Sequence, residues 1–158
     1  MPTQKDGVPF SSSTACSDYE GEQDVLAMWV PRLIIATAII HCVYGLVQPN
    51  EWANIVRDGV VASVVDTDSA DYFARDASVW FMMGGIALLA IGALTRYAVI
   101  ETGRIPASVG CFLVAMGIPL TLIYFPLTGG WLVLAIGVIA LLAARRGSGT
   151  AKAPTRTG

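Results

Sequence analysis

Apolar residues run along this chain in four long blocks, at 28–47, 77–100, 105–125 and 127–144, with short polar breaks between them. A helix rises ~1.5 Å per residue and needs roughly 17 to 20 apolar residues to cross ~30 Å of hydrocarbon. Each block therefore predicts a transmembrane helix, the fourth by a narrow margin. The breaks carry the residues that end helices. Gln48-Pro49-Asn50 closes the first block, Glu101-Thr102-Gly103-Arg104 divides the second from the third, and Pro126 with Gly129-Gly130 divides the third from the fourth. The implied fold class is an all-α membrane protein, an antiparallel bundle of four transmembrane helices.

The domain organisation follows from the same pattern: a disordered tail over 1–27, a four-helix transmembrane domain over 28–146 with a connecting loop at 48–76, and a disordered tail over 147–158. The first tail holds Ser11-Ser12-Ser13-Thr14 and the acids Asp18, Glu20, Glu22 and Asp24, with no apolar run behind the opening methionine. It therefore reads as no cleavable signal peptide, with too little to bury for a fold of its own.

Within the 48–76 loop, Trp52, Ile55, Val56, Gly59, Val60 and Val64 recur at helical spacing, with Glu51, Asn54, Arg57 and Asp58 elsewhere. This predicts one short helix over 51–65, lying in the membrane interface and anchored by Trp52. A lid or substrate-recruiting surface is the functional alternative. In the run Asp66-Thr67-Asp68-Ser69-Ala70-Asp71, Asp68 or Ser69 is placed to cap the next helix. A calcium loop is disfavoured, because the run lacks the glycine turn and terminal glutamate of an EF-hand.

Small residues recur every seven positions: Ala38 and Gly45; Ser78, Gly85 and Gly92; Gly103, Gly110 and Gly117; Gly130, Gly137 and Ala144. Such a stripe keeps to one side of a helix and lets backbones approach closely, so tight helix packing is expected.

Composition sharpens the class. Of the 158 residues, 54% are hydrophobic and 14% charged, where soluble domains carry about a quarter charged residues. Mean hydropathy is +0.61. A net charge of −2 with only 10 Lys plus Arg argues against a nucleic-acid partner. The partner implied is the lipid bilayer, with other membrane proteins or a second copy as further candidates. Cys16, Cys42 and Cys111 show no C-x-x-C spacing and read as free thiols, so no metal site and no cofactor is expected.

Basic residues resist translocation, and their distribution sets the orientation. Lys5, Arg32, Arg96, Arg104, Arg145, Arg146, Lys152 and Arg156 fall on one side of a four-span chain, and only Arg57 and Arg75 on the other. Eight against two puts both termini in the cytoplasm of a multi-pass protein and the 48–76 loop outside or in a lumen. Plasma membrane and endomembrane are not distinguished.

His41 is the sole histidine, nine residues past Arg32, which places it about 14 Å deep and near the midplane. An ionisable residue there is a candidate site, but no acidic residue falls at the same depth on the other three blocks. A neutral, hydrogen-bonded structural role is favoured, with axial ligation of a haem or metal as the lesser reading. Pro119 should free the carbonyl of Ala115, four residues earlier, at nearly the same depth. His41 is therefore expected to bond Ala115 and join the first and third membrane helices.

Several motifs occur in order at matching spacings: Ile40-His41 followed by Gly45, Ile55-Val56-Arg57-Asp58-Gly59, Trp80-Phe81 followed by Gly84-Gly85, Thr102-Gly103-Arg104-Ile105-Pro106, and Gly129-Gly130-Trp131-Leu132. On these the chain resembles a family of small four-helix integral membrane proteins of uncharacterised function, over roughly 28–144. The resemblance implies the same topology and no known activity, and the acidic N-terminal tail looks like an addition to the family pattern.

Two functional classes remain. One is a non-catalytic accessory or scaffold membrane protein. The other is a small membrane-bound enzyme using isomerase- or cyclase-like acid/base chemistry on a lipophilic substrate, with His41, Glu51 and Asp76 as the candidate catalytic groups. With no nucleophile–base spacing, phosphate loop or metal constellation, the first class leads. A transporter is less suited, because the chain carries no internal repeat.

Overall fold

The computed structural model describes residues 13–126 and 128–149. These form six helices: α1 (Ser13–Val47), α2 (Trp52–Arg57), α3 (Val60–Val65), α4 (Tyr72–Thr102), α5 (Ala107–Tyr124) and α6 (Gly130–Gly149). Three stretches are long and apolar enough to cross a membrane, namely Val25–Val47 within α1, α4 and α5. The fourth apolar block becomes helical only from Gly130. Its apolar part, 130–144, rises about 22 Å before Arg145 and Arg146, shorter than the ~30 Å hydrocarbon layer.

Boundaries moved where local chemistry overrode hydropathy. Helix α1 begins at Ser13, so part of the segment expected to be disordered is helical, while residues 1–12 lie outside the described part. The final tail is helical to Gly149, and the remainder lies outside the described residues. At the other end of the loop, α4 starts at Tyr72 rather than near 77. Its N-cap is Asp71, without a side-chain cap, in place of the expected Asp68 or Ser69. Those two residues belong instead to the preceding turns, where the Asp68 N–H donates to the Asp66 carboxylate and the Tyr72 N–H to the Ser69 carbonyl.

Helix α1 packs on α4 and α6, and α5 packs on α6. The core is built from one face of each: Val30, Ile34 and Ala38 of α1, Leu88 of α4, Leu113 of α5, and Val133, Ile136 and Ala140 of α6. Spacings of three and four residues put each set on one side of its helix. Thr95, fully buried on α4, is accommodated because its hydroxyl donates to the Ile91 carbonyl at 2.7 Å. Large apolar side chains cover the outside; Leu94 is 68% exposed and Leu122 80%. A surface of this kind suits lipid rather than water.

Close approach is what the stripe of small residues provides. A Cβ on Gly92 would sit 2.7 Å from Ile35, and one on Gly85 would overlap the Cys42 sulfur. Between α5 and α6, a Cβ on Gly117 would sit 2.6 Å from the Leu134 backbone and one on Gly137 2.8 Å from the Val114 nitrogen. Partner numbers fall along α1 as they rise along α4, and fall along α6 as they rise along α5. Gly103 departs from the stripe. It lies in the left-handed region at φ 67° with open space around it, and closes α4 through its N–H to the Val99 carbonyl.

Without a hydrophobic force between helices in lipid, these contacts hold the helices by dispersion and shape. Gly117→Leu and Gly137→Leu should each wedge α5 from α6 and lower stability in detergent by about 1–3 kcal/mol, the usual cost of overpacking. The outward-facing Ala135→Leu should leave it unchanged. Thermal or dodecyl sulfate unfolding of the three variants checks this, and equal stability throughout would contradict the packing.

Candidate functional site

The loop over 48–76 folds into a small structure on the end of α4. Its single expected helix is two, α2 and α3, because Gly59 between them takes φ 88° and turns the chain. The turn breaks the predicted apolar face. Ile55 and Ser63 point inward, with the Ser63 hydroxyl donating to the Ile55 carbonyl at 3.3 Å. Val56, Val60, Val61 and Val65 point outward. Trp52 is half-buried with its indole nitrogen enclosed and unpartnered among the described residues, so it does not present its N–H to a headgroup region as an interfacial anchor would.

One ion pair ties this loop to α4. Arg75, 7% exposed, donates from Nη2 to the Asp58 carboxylate at 2.8 Å, and the exposed Arg57 donates to the same carboxylate at 2.9 Å. The Arg75 contact is the one shielded from water and screened least. Hydrogen bonds from Arg57 first and Arg75 second hold the Asp58 carboxyl below its ordinary range. Neither partner was legible as such, because the 17-residue separation follows from the Gly59 turn and not from helical periodicity.

Beside this pair, the junction of α1, the loop and α4 encloses a partly open cavity of about 480 Å³. Tyr44, Gly45 and Gln48 line it from the end of α1, Asn50 and Glu51 from the loop, and Ser78 and Phe81 from α4. Glu51 is fixed there by its backbone N–H, which donates to Ser78 Oγ at 3.2 Å, while Ser78 donates to the Ala74 carbonyl at 2.9 Å. Asn54 donates to Glu51 Oε2.

His41 stands behind the cavity wall. Its ring stacks on Phe81 with centroids 3.9 Å apart and planes 9° from parallel, and its Nε2 lies 2.9 Å from the Phe81 carbonyl oxygen. A carbonyl only accepts, so Nε2 carries the proton in this bond. The expected bond to Ala115 is not formed. The packing reason is local: Gly84 and Gly85 let α1 settle on α4, where a Cβ on Gly84 would be 3.7 Å from His41 Nε2. The Phe81 carbonyl is then the acceptor in reach.

The structure thus brings Glu51 into the cavity and His41 against its aromatic wall, and leaves Asp76 apart. Asp76 is half-buried on α4, outside the cavity lining, with no side-chain hydrogen bond or ion pair among the described residues. Tyr44, Ser78 and Phe81 were not singled out as site residues. Ser78 stood only in the small-residue stripe and Phe81 only in a motif, and no periodicity predicts that a loop glutamate folds over them. Among the described residues, no group of three or more His, Cys, Asp or Glu is placed to hold a metal ion.

A depressed carboxylate contributes stability that is complete above its unfolded value of 3.8 and is lost as pH falls through the lower folded value. Hydrogen exchange of α2 and α3 should accordingly be slow and pH-corrected constant from pH 7 to 5, then accelerate below pH 4. Asp58→Ala should show the acid-state exchange already at pH 7, because Arg75 is left buried without its partner. Protection unchanged in this variant would mean that the pair does not hold the loop.

No curated protein and no solved structure matches the chain. A family model does, over residues 26–147, from α1 through the loop and cavity into α6, and the chain belongs to that family of unknown function, DUF6463.

Proposed function

We propose that this chain is a multi-pass membrane protein whose four long helices cross the bilayer as an antiparallel bundle, with both termini cytoplasmic and α2–α3 outside or in a lumen. It acts as a non-catalytic accessory or scaffold, associating with other membrane proteins or a second copy through its outer helix faces. The observation that carries the membrane part is the apolar exterior of the three helices long enough to span, against which the shorter α6 packs. Eight basic residues against two support the orientation. The opposed run of contact partners along α1–α4 and α5–α6 supports the antiparallel arrangement. In support of a non-catalytic role, the three ionisable candidates do not converge: Glu51 lines the cavity, His41 is engaged with the Phe81 carbonyl, and Asp76 stands apart.

A second reading is favoured by the cavity itself. Its mixture of Tyr44, Phe81, Ser78 and Glu51 suits a lipophilic substrate with a polar end, and a carboxylate there is able to act as an acid or base. His41 and Asp76 would then contribute only at longer range.

Two measurements test these readings. In Thr67→Cys, carried on a background lacking the native cysteines, an impermeant thiol reagent should label the loop from outside intact cells, or from the lumen in vesicles. Labelling only from the cytoplasmic side would reverse the orientation. In a deletion strain, the accessory reading expects altered membrane integrity or complex composition with an unchanged profile of lipophilic metabolites. Build-up of one lipophilic precursor would select the enzymatic reading.

A further inference from the structure

The cavity is lined by a carboxylate, Glu51, that no cation among the described residues pairs directly, Arg57 acting on it only through space. Both cations of the loop are held by one carboxylate, Arg57 at 2.9 Å and Arg75 at 2.8 Å from Asp58. Glu51 has no ion pair among the described residues. Its only side-chain partner is the Asn54 amide on Oε2, which leaves Oε1 without a hydrogen bond among them. Two aromatic residues line the same cavity, Tyr44 and Phe81, their rings tilted by 39° with centroids 6.3 Å apart. One face of Phe81 is taken by His41 at 3.9 Å, so that ring is braced from behind while the residue lines the cavity in front.

We propose that this cavity binds the ammonium head of a lipophilic amine, with the Glu51 carboxylate as counter-charge and Tyr44 and Phe81 as the aromatic wall. Aromatic faces attract cations through the ring quadrupole, most strongly when the site is partly desolvated, and a carboxylate adds the opposite charge without needing a proton from the ligand. An anionic head is repelled by Glu51, and a neutral one leaves its charge uncompensated.

The tail follows from where the cavity opens. Tyr44, 44% exposed, and Ala77, also exposed, line it at the outer surface. That surface continues apolar on the same two helices at Ile40, Val43 and Trp80. A volume of about 480 Å³ holds the head and the first carbons of a chain, and the remainder lies against this apolar flank. The inference needs only this cavity and not the accessory role. Its test is made in detergent, where failure would leave the topology of the protein untouched.

The experiment is thermal unfolding of the full chain in dodecyl maltoside, with and without dodecyltrimethylammonium, followed by titration of intrinsic tryptophan fluorescence. A ligand that binds only the folded state raises the midpoint, and a shift of about 2–8 °C is expected at saturation. The uncharged octaethylene glycol monododecyl ether, which supplies the tail alone, should give no shift. Tetramethylammonium chloride, which supplies the head alone, should give none at the same concentration. Glu51→Gln keeps the acceptor for Asn54 and removes the charge, and should weaken apparent affinity about tenfold, equivalent to ~1.4 kcal/mol. Tyr44→Leu should weaken it as well, while Glu101→Gln, at the opposite end of α4, should bind as the wild type does. Equal binding in Glu51→Gln, an equal shift with the uncharged ether, or full stabilisation by tetramethylammonium alone would each overturn the proposal.

Discussion

Backbone contact between helices at glycine is the constraint on which the rest of this structure depends. In lipid, apolar side chains gain nothing by leaving one hydrocarbon surface for another, so helices associate only where shape brings many atoms within dispersion range. Gly85 and Gly92 give α4 that proximity to α1, and Gly117 and Gly137 give it between α5 and α6. Each removes a Cβ that would otherwise lie within 3 Å of a neighbouring side chain or backbone atom. The outer faces can then remain largely apolar, as the exposure of Leu94 and Leu122 illustrates.

The cavity is a consequence of the same contact. Because α1 lies so near α4 at Gly84 and Gly85, His41 reaches across to Phe81, stacks on its ring and donates to its carbonyl. Such bonds in membranes average only ~0.6 kcal/mol, so this one fixes the place of an aromatic ring more than it stabilises the pair. Beyond Gly45 the two helices are capped by loop residues, and the space below the cap stays open between Tyr44, Phe81 and Glu51. His41, which invited a catalytic reading, thus supports a wall.

The loop is held by different physics. It buries little, Ile55 and Ser63 being its enclosed side chains, and its attachment rests on the Asp58 to Arg75 pair and the Glu51 N–H to Ser78 bond. A buried arginine without its carboxylate is costly, which makes the pairing specific even where its net contribution is small. Since Asp58 pairs directly with both Arg57 and Arg75, Glu51 lines the cavity with no ion pair of its own among the described residues.

Hydropathy and spacing alone determined the all-helical class, three of the four blocks expected to span a membrane, the breaks near Pro49 and Gly103, and the glycines at which helices touch. These follow from properties that each residue carries regardless of its neighbours: side-chain transfer energy, the missing Cβ of glycine, and the restricted backbone before proline. Tertiary structure alone decided the partner of His41, the division of the loop at Gly59, the capture of Arg75 by Asp58 and the meeting of Glu51 with Tyr44 and Phe81 in one cavity lining. Each of these depends on which helix lies beside which and on the rotation of each about its axis. The turn at Gly59 shows the limit most plainly: a single φ of 88° redirects α3, and every assignment of faces beyond it that assumed one continuous helix fails. Pro119 shows it again, since freeing the Ala115 carbonyl would matter to His41 only if α5 lay alongside that face of α1, and α4 occupies that place.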